Sequence, residues 1–142
     1  MAAMEIIRFV VDTNVVFEGL TKQGSASGIL LDAWLVGLFQ PCVTDALVYE
    51  YADVLTRKLN PSRLQKIYPI FNELLSLAQF IPVYYTWRPI AVDPGDDHIV
   101  DCAMNANAPV ITWNIRDFRT AKTYLGLTIL TPIEAIKLLA VE

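Results

Sequence analysis

Carboxylates recur in this 142-residue chain where apolar runs give out. Asp12 follows the run Ile6-Ile7-Arg8-Phe9-Val10-Val11 and opens Asp12-Thr13-Asn14. Asp93-Pro94-Gly95-Asp96-Asp97 leads on to Asp101, and Asp117 comes shortly after Val110-Ile111-Thr112-Trp113-Asn114. Glu50 belongs to a different pattern. Leu47, Tyr51, Val54 and Leu55 repeat at helical spacing, and Glu50 falls inside that apolar stripe rather than opposite it. An inward Glu is costly unless it is paired or coordinates a cation. Open α/β sheets keep their ligands at the carboxyl edge of the strands, so acids gathered at one such edge converge and suggest a bound cation.

Each acid also has a plainer reading. Asp12 could cap the next turn through its side chain, although Asn14 two residues on offers an amide able to orient a water on a metal. Glu50 could be a boundary residue satisfied by an Arg. Asp97 and Asp101 are four apart and lie one helical turn from each other, a repulsive spacing that a divalent cation would reverse. Amino-terminal capping suits Asp93 or Asp96, which leaves Asp97 for chemistry and Asp101 as second choice. Asp117, with Asn114, also fits an Asx turn. The case rests on the four positions taken together.

Composition narrows the function classes. With 54% apolar and 18% charged residues, the chain can fill a core and does not resemble a disordered segment. Its length fits a single domain over residues 1–142. A net charge of −4 argues against a general nucleic-acid coating protein, but Arg57, Lys58, Arg63 and Lys66 form one basic group and Arg116, Arg119 and Lys122 another. The richest apolar stretch, 29–39, is interrupted by Asp32 and falls short of the ~20 residues that span a bilayer. The first residues lack the basic flank of a secretory signal, so a cytoplasmic location is expected. Cys42 and Cys102 show no metal-ligand spacing and read as buried free thiols. The single histidine, His98, has no Ser, Cys or second His to work with and reads as a helix-surface residue.

The elements that must position these groups alternate. Residues 5–11 read as a buried strand, and 21–28 as a loop ending in a Ser25 or Ser27 cap for a helix to about residue 38. Residues 39–43 form a second strand, and Thr44-Asp45 begins a helix to about 59. Asn60-Pro61-Ser62 caps a helical segment over 62–80 that Pro69 should kink or divide. Residues 81–87, with Pro82 inside, predict an edge strand or extended connection. A helix from Asp96 or Asp97 to Asn107, strands at 110–113 and 127–131, and a helix opened by Thr131-Pro132 complete the order. Alternation of this kind predicts an α/β fold of three layers, α/β/α, around a central, mainly parallel sheet of four to five strands.

With those residues in place, the chain resembles the PIN-domain ribonucleases. Val-Val-Asp12-Thr-Asn-Val-Val, Glu50 in Tyr-Glu-Tyr-Ala-Asp-Val-Leu, the stretch from Asp93 to Ala108, and Ile-Thr-Trp-Asn-Ile-Arg-Asp117-Phe occur in the family's order and spacing, and the similarity extends to Leu-Thr-Pro-Ile-Glu-Ala-Ile near the end. The nearest branch is the PIN-family toxin component of bacterial toxin-antitoxin systems, related to VapC. The resemblance implies a PIN-like nuclease domain in which Asp12, Glu50, Asp97 and Asp117 hold Mg²⁺ or Mn²⁺ and hydrolyse RNA phosphodiester bonds through metal-activated water. It also implies that Asp101 joins the metal set, that Asn14, Thr112 and Asn114 support it, that the protein forms a homodimer, and that a small antitoxin is its partner. Members often carry a further acid at the position of Gly95, a turn residue whose change should matter little. Hard oxygen donors agree with Mg²⁺ or Mn²⁺, and nothing in the chain favours zinc. Arg116 and Arg119, beside Asp117, are candidates for holding a substrate phosphate. Two other readings compete. A haloacid-dehalogenase-like phosphatase needs a second Asp where this chain has Asn14, and a non-catalytic PIN-like binding or regulatory module would have no use for the four acids.

Overall fold

The computed structural model describes residues 6–87 and 93–140, so the expected start of the first strand at residue 5 lies outside the described residues. In chain order the elements are β1 (Arg8–Val11), α1 (Thr13–Thr21), α2 (Ala26–Leu35), β2 (Gln40–Val43), α3 (Asp45–Lys58), α4 (Pro61–Ser76) and β3 (Gln79–Phe80). After these come α5 (Asp97–Ala106), β4 (Val110–Ile111), α6 (Arg119–Leu125), β5 (Ile129–Leu130) and α7 (Pro132–Ala140). Short 3-10 turns, Pro94–Asp96 and Ile115–Phe118, lead into α5 and α6.

The strands form one sheet in the order β3-β2-β1-β4-β5, and every pairing is parallel. Parallel neighbours require a crossover, which the helices supply. The helices α1, α2, α3, α4 and α7 pack on one another, while α5 lies against β1, β2 and β4, giving the expected three layers. Phe9, Val10 and Val11 are all buried, as a central parallel strand covered on both faces requires. Chain order runs outward from β1 through β2 to β3, then returns across the sheet to β4. The reversal leaves a crevice at the carboxyl ends of β1 and β4, where Asp12 and Thr112 stand.

Several expectations needed correction. The sequence pattern predicts no element over 13–20, where most of α1 lies; its amino-terminal cap is Asp12, which the sequence offers both as a turn cap and as a ligand. The seven-residue α6 buries little beyond Ala121 and is too short to show a helical period. Pro69 does not divide α4, because it and Gln65, whose carbonyl loses its helical donor, both lie on the exposed side. That helix ends at Ser76 rather than near 80. The edge strand falls at Gln79–Phe80; the Ile81 amide still donates to the Val43 carbonyl (2.8 Å), and from Pro82, which has no amide hydrogen, to residue 87 there is no strand. The helix expected to reach 38 stops at Leu35, and Gly37 takes the left-handed conformation beyond it (φ +80°).

Packing of α1 on α2 is close enough to require a glycine. A Cβ on Gly19 would lie 2.5 Å from the Leu31 side chain and 2.8 Å from the Ser27 carbonyl oxygen. Gly19→Ala should therefore destabilise the fold by ~1–3 kcal/mol despite alanine's better helix propensity. Urea unfolding measures this, and an unchanged or raised midpoint would contradict the packing.

Candidate active site

Asp12 is delivered to the crevice by β1, whose ladder continues one step beyond the strand as the Asp12 amide donates to the Ile111 carbonyl (2.9 Å). Both carboxylate oxygens are held. Oδ1 accepts the Thr13 amide at 2.7 Å, capping α1, and Oδ2 accepts the Thr112 hydroxyl at 2.8 Å. The turn-cap and site readings of this residue are thus both realised. Only 6% of Asp12 is exposed. Burial raises its pKa, and the two hydrogen bonds recover only part of that shift.

Glu50 reaches the same cavity from α3. The Thr13 hydroxyl donates to its Oε2, and the His98 ring nitrogen Nε2 lies 3.2 Å from its Oε1. Among the described residues no Arg hydrogen-bonds to it, although the charge of Arg57 acts on it. Burial pushes Glu50 upward, but the bonds from His98 and Thr13 together outweigh it, so its pKa falls below the ordinary value. His98 is accordingly not a surface residue. Its ring is half-buried beside Glu50, and its Nδ1 has no partner among the described residues. The usable signal was Glu50 itself, an inward acid in need of a partner on a neighbouring element.

In the third cluster the expected capping falls to Asp93 rather than Asp96. Asp93 caps its turn by accepting the Gly95 amide at 2.9 Å. Asp96 makes no side-chain cap and instead lines the cavity with Asp12, Asn14, Glu50 and Asn114. Its carboxyl is pushed up to about 7, first by burial and then by the charges of Asp12, Asp93, Asp117 and Glu50. Asp97, the sequence choice, is buried and does not line the cavity. Asp101 faces elsewhere and accepts the Trp87 amide at 3.1 Å, while Asn105 on the same helix holds the backbone of Tyr84 and Tyr85. These two residues fasten the extended 81–87 segment to α5.

Asp117 does not line the cavity, yet its charge acts on Asp96. Asn14 Oδ1 accepts the Trp113 amide at 3.4 Å, and Thr112, wholly buried, accepts the Asn114 amide through its hydroxyl oxygen at 2.9 Å. The β4 end is thereby tied to the α1 start. Arg116 and Arg119 are exposed and lie outside the cavity wall, where Lys22 and Lys58 are found instead. Both cysteines are buried free thiols, as expected.

The cavity, about 420 Å³, is therefore rich in oxygen donors, and the charges of neighbouring carboxylates act on Asp96 within it. Among the described residues, no three His, Cys, Asp or Glu side chains stand in a finished metal-binding cluster. What fits a divalent ion is the donor chemistry, with Asp12, Glu50 and Asp96 around one space and the Asn14 amide beside them.

A model of the PIN domain matches residues 8–116. The chain belongs to the PIN domain family. Solved structures carry the same fold. Similar to this PIN domain is the crystal structure of VapBC2 from Rickettsia felis bound to a DNA fragment from their promoter (TM-score 0.65, 16% identity, 88% of this chain and 98% of that one). FitAcB from Neisseria gonorrhoeae aligns with a TM-score of 0.61 at 16% identity over 88% and 98% of the two chains. PAE2754 from Pyrobaculum aerophilum aligns with a TM-score of 0.66 at 14% identity over 96% and 91%. No curated protein matches the sequence. Among the described residues of this PIN domain, no helix is long and apolar enough to cross a membrane.

The raised pKa of Asp96 fixes the sign of a pH effect. With a folded value near 7 and an ordinary value of 3.8, the native state binds more protons than the unfolded one between those limits. Stability therefore falls as pH rises through that window, and the penalty is fully present above it. Asp96→Asn should raise Tm at about pH 8 in the absence of divalent ions and change it little at about pH 4. Thermal unfolding at both values checks this, and a gain confined to the acid side would contradict it.

Proposed function

We propose that this PIN domain is a metal-dependent endoribonuclease, the toxin component of a toxin-antitoxin pair, with Asp12, Glu50 and Asp96 as the principal groups for Mg²⁺ or Mn²⁺. Asp117 contributes negative charge that acts on Asp96. The observation that carries the reading is the convergence of Asp12, Glu50 and Asp96 on one cavity. A divalent ion bound there supplies Lewis acidity and activation of water for phosphodiester hydrolysis.

The chain's own residues prepare the site. Thr112 and the Thr13 amide hold Asp12 in one orientation, and the Thr13 hydroxyl and His98 do the same for Glu50. Such outer partners fix ligand geometry and raise affinity. Asn14 and Asn114 offer neutral amides on the same wall, suited to orienting water or a phosphate oxygen. None of these side chains needs to act as a covalent nucleophile. A homodimer and a small antitoxin belong to the same proposal, supported by the resemblance to VapC-type toxins and by a fold shared with VapBC2 and FitAB. A non-catalytic module is the second reading, with no group of three His, Cys, Asp or Glu side chains placed to hold a metal among the described residues.

One experiment separates the two. Wild type should cleave members of an RNA panel in Mn²⁺, and Asp12→Asn should lose more than the roughly 10–100-fold typical of removing a supporting partner. Millimolar Mn²⁺ should also raise the Tm of wild type, by ~2.7 kcal/mol of stability if the ion is at a hundred times its Kd, but not that of Asp12→Asn. Metal-induced stabilisation without cleavage would leave a binding module, and the absence of both would end the proposal.

A further inference from the structure

The cavity that holds the acids does not end at them. It continues between α1 and α3 to a wall containing Lys22 and Lys58, with Phe17, Val54 and Trp113 in between. Both lysines sit eight positions after a group at the acidic end, Lys22 after Asn14 and Lys58 after Glu50. On α3 that separation is ~12 Å along the helix axis. Cations are favoured at helix carboxyl ends by the backbone dipole, but that preference does not require two helices to bring theirs to one groove. Arg63, outside the groove wall, ties the end of α1 to the first turn of α4 by donating to the Thr21 carbonyl at 3.1 Å.

Two of these groups are held in place. The Lys58 ammonium lies 5.1 Å above the Phe17 ring centroid, a cation–π contact that limits its wandering. Trp113 is pinned by its indole N–H, which donates to Ser27 Oγ at 2.9 Å and to Glu18 Oε1 at 3.1 Å, while Ser27 itself donates to Glu18 at 2.8 Å. Glu18, the acid on this part of the wall, is thus occupied by its own neighbours. The indole remains 37% exposed.

We propose that the α1–α3 end of the groove is a subsite for the backbone of a single-stranded RNA flanking the cleaved bond, with Lys22 and Lys58 holding its phosphates and Trp113 presenting a stacking face. The inference rests on the nuclease reading and extends it. A strand crossing from acids to lysines covers about two to four phosphates at the ~3.4 Å axial charge spacing of one strand. Fixed cations beside an aromatic surface are the chemistry by which unpaired strands are held. Because the chain as a whole is acidic, the subsite must supply its attraction locally.

The test is fluorescence anisotropy of a short labelled oligouridine at low salt, in EDTA and, with Asp12→Asn, in Mn²⁺. The double variant Lys22→Gln/Lys58→Gln is compared with Lys122→Gln/Lys137→Gln, which removes equal charge away from the groove. The groove variant should bind at least ~10-fold more weakly and reduce the slope of log K against log salt by about 1.4, at ~0.7 per phosphate contact. The control pair should match wild type. No binding by wild type, equal losses in both pairs, a duplex bound as tightly as the single strand, or a polyglutamate peptide bound in place of RNA would each overturn the subsite. Circular dichroism and Lys22→Arg/Lys58→Arg, which should restore binding, separate a lost contact from a lost fold. If wild type cleaves nothing while the groove variant still loses binding, the nuclease reading falls and the subsite stands. If cleavage persists and binding is unmoved, the subsite falls alone.

Discussion

The burial of one carboxylate organises this molecule. Asp12 stands at the carboxyl end of the central strand with 6% of its surface exposed, where an ionised group is costly unless hydrogen bonds replace water. The replacements come from both sides of the sheet reversal, the Thr13 amide at the start of α1 and the Thr112 hydroxyl at the end of β4. The same Thr13 places its hydroxyl on Glu50, and Thr112 also receives the Asn114 amide. The groups that make Asp12 tolerable thus fix the register of β1, β4, α1 and α3 around the crevice. Tyr51 reinforces this from beneath by donating to the Val11 carbonyl.

Asp96 shows the electrostatic counterpart. Asp12 and Glu50 each have neutral donors or a histidine close by, whereas Asp96 enters the cavity with no capping bond and takes the accumulated repulsion. Its position follows from the turn before α5, where Asp93 takes the capping role and releases Asp96 to face inward. The cavity is consequently bipolar, with acids at the sheet edge and lysines at the far ends of α1 and α3. A polyanion lying along it meets repulsion where a metal ion would intervene and attraction elsewhere.

Much of this was legible in the sequence because its signals were local. The apolar run ending at Asp12, the Thr44 and Asn60 caps, the Pro132 helix start and the inward phase of Glu50 each rest on a few neighbouring residues. What could not be read depended on rotation or on contacts distant in sequence. Asp96 and Asp97 are adjacent, and one step around a helix turns a side chain by about 100°, so which of them faces the cavity is set by the turn geometry rather than by spacing. The spacing around His98 predicts a helix-surface residue because its partner, Glu50, lies 48 residues away on another helix. Lys22 and Lys58 share a groove only because α1 and α3 pack side by side. Arg116 and Arg119, close to Asp117 in sequence, do not line it.

The central claim is that the cavity concentrates negative charge that a divalent ion relieves. The most direct measurement is the pH titration of the Asp96 carboxyl carbon by nuclear magnetic resonance, without and with saturating Mg²⁺. The account predicts a pKa of about 7 without the ion and a fall to the ordinary carboxylate range or below with it. An ordinary value in the metal-free protein, or a raised value that Mg²⁺ leaves unmoved, would contradict it.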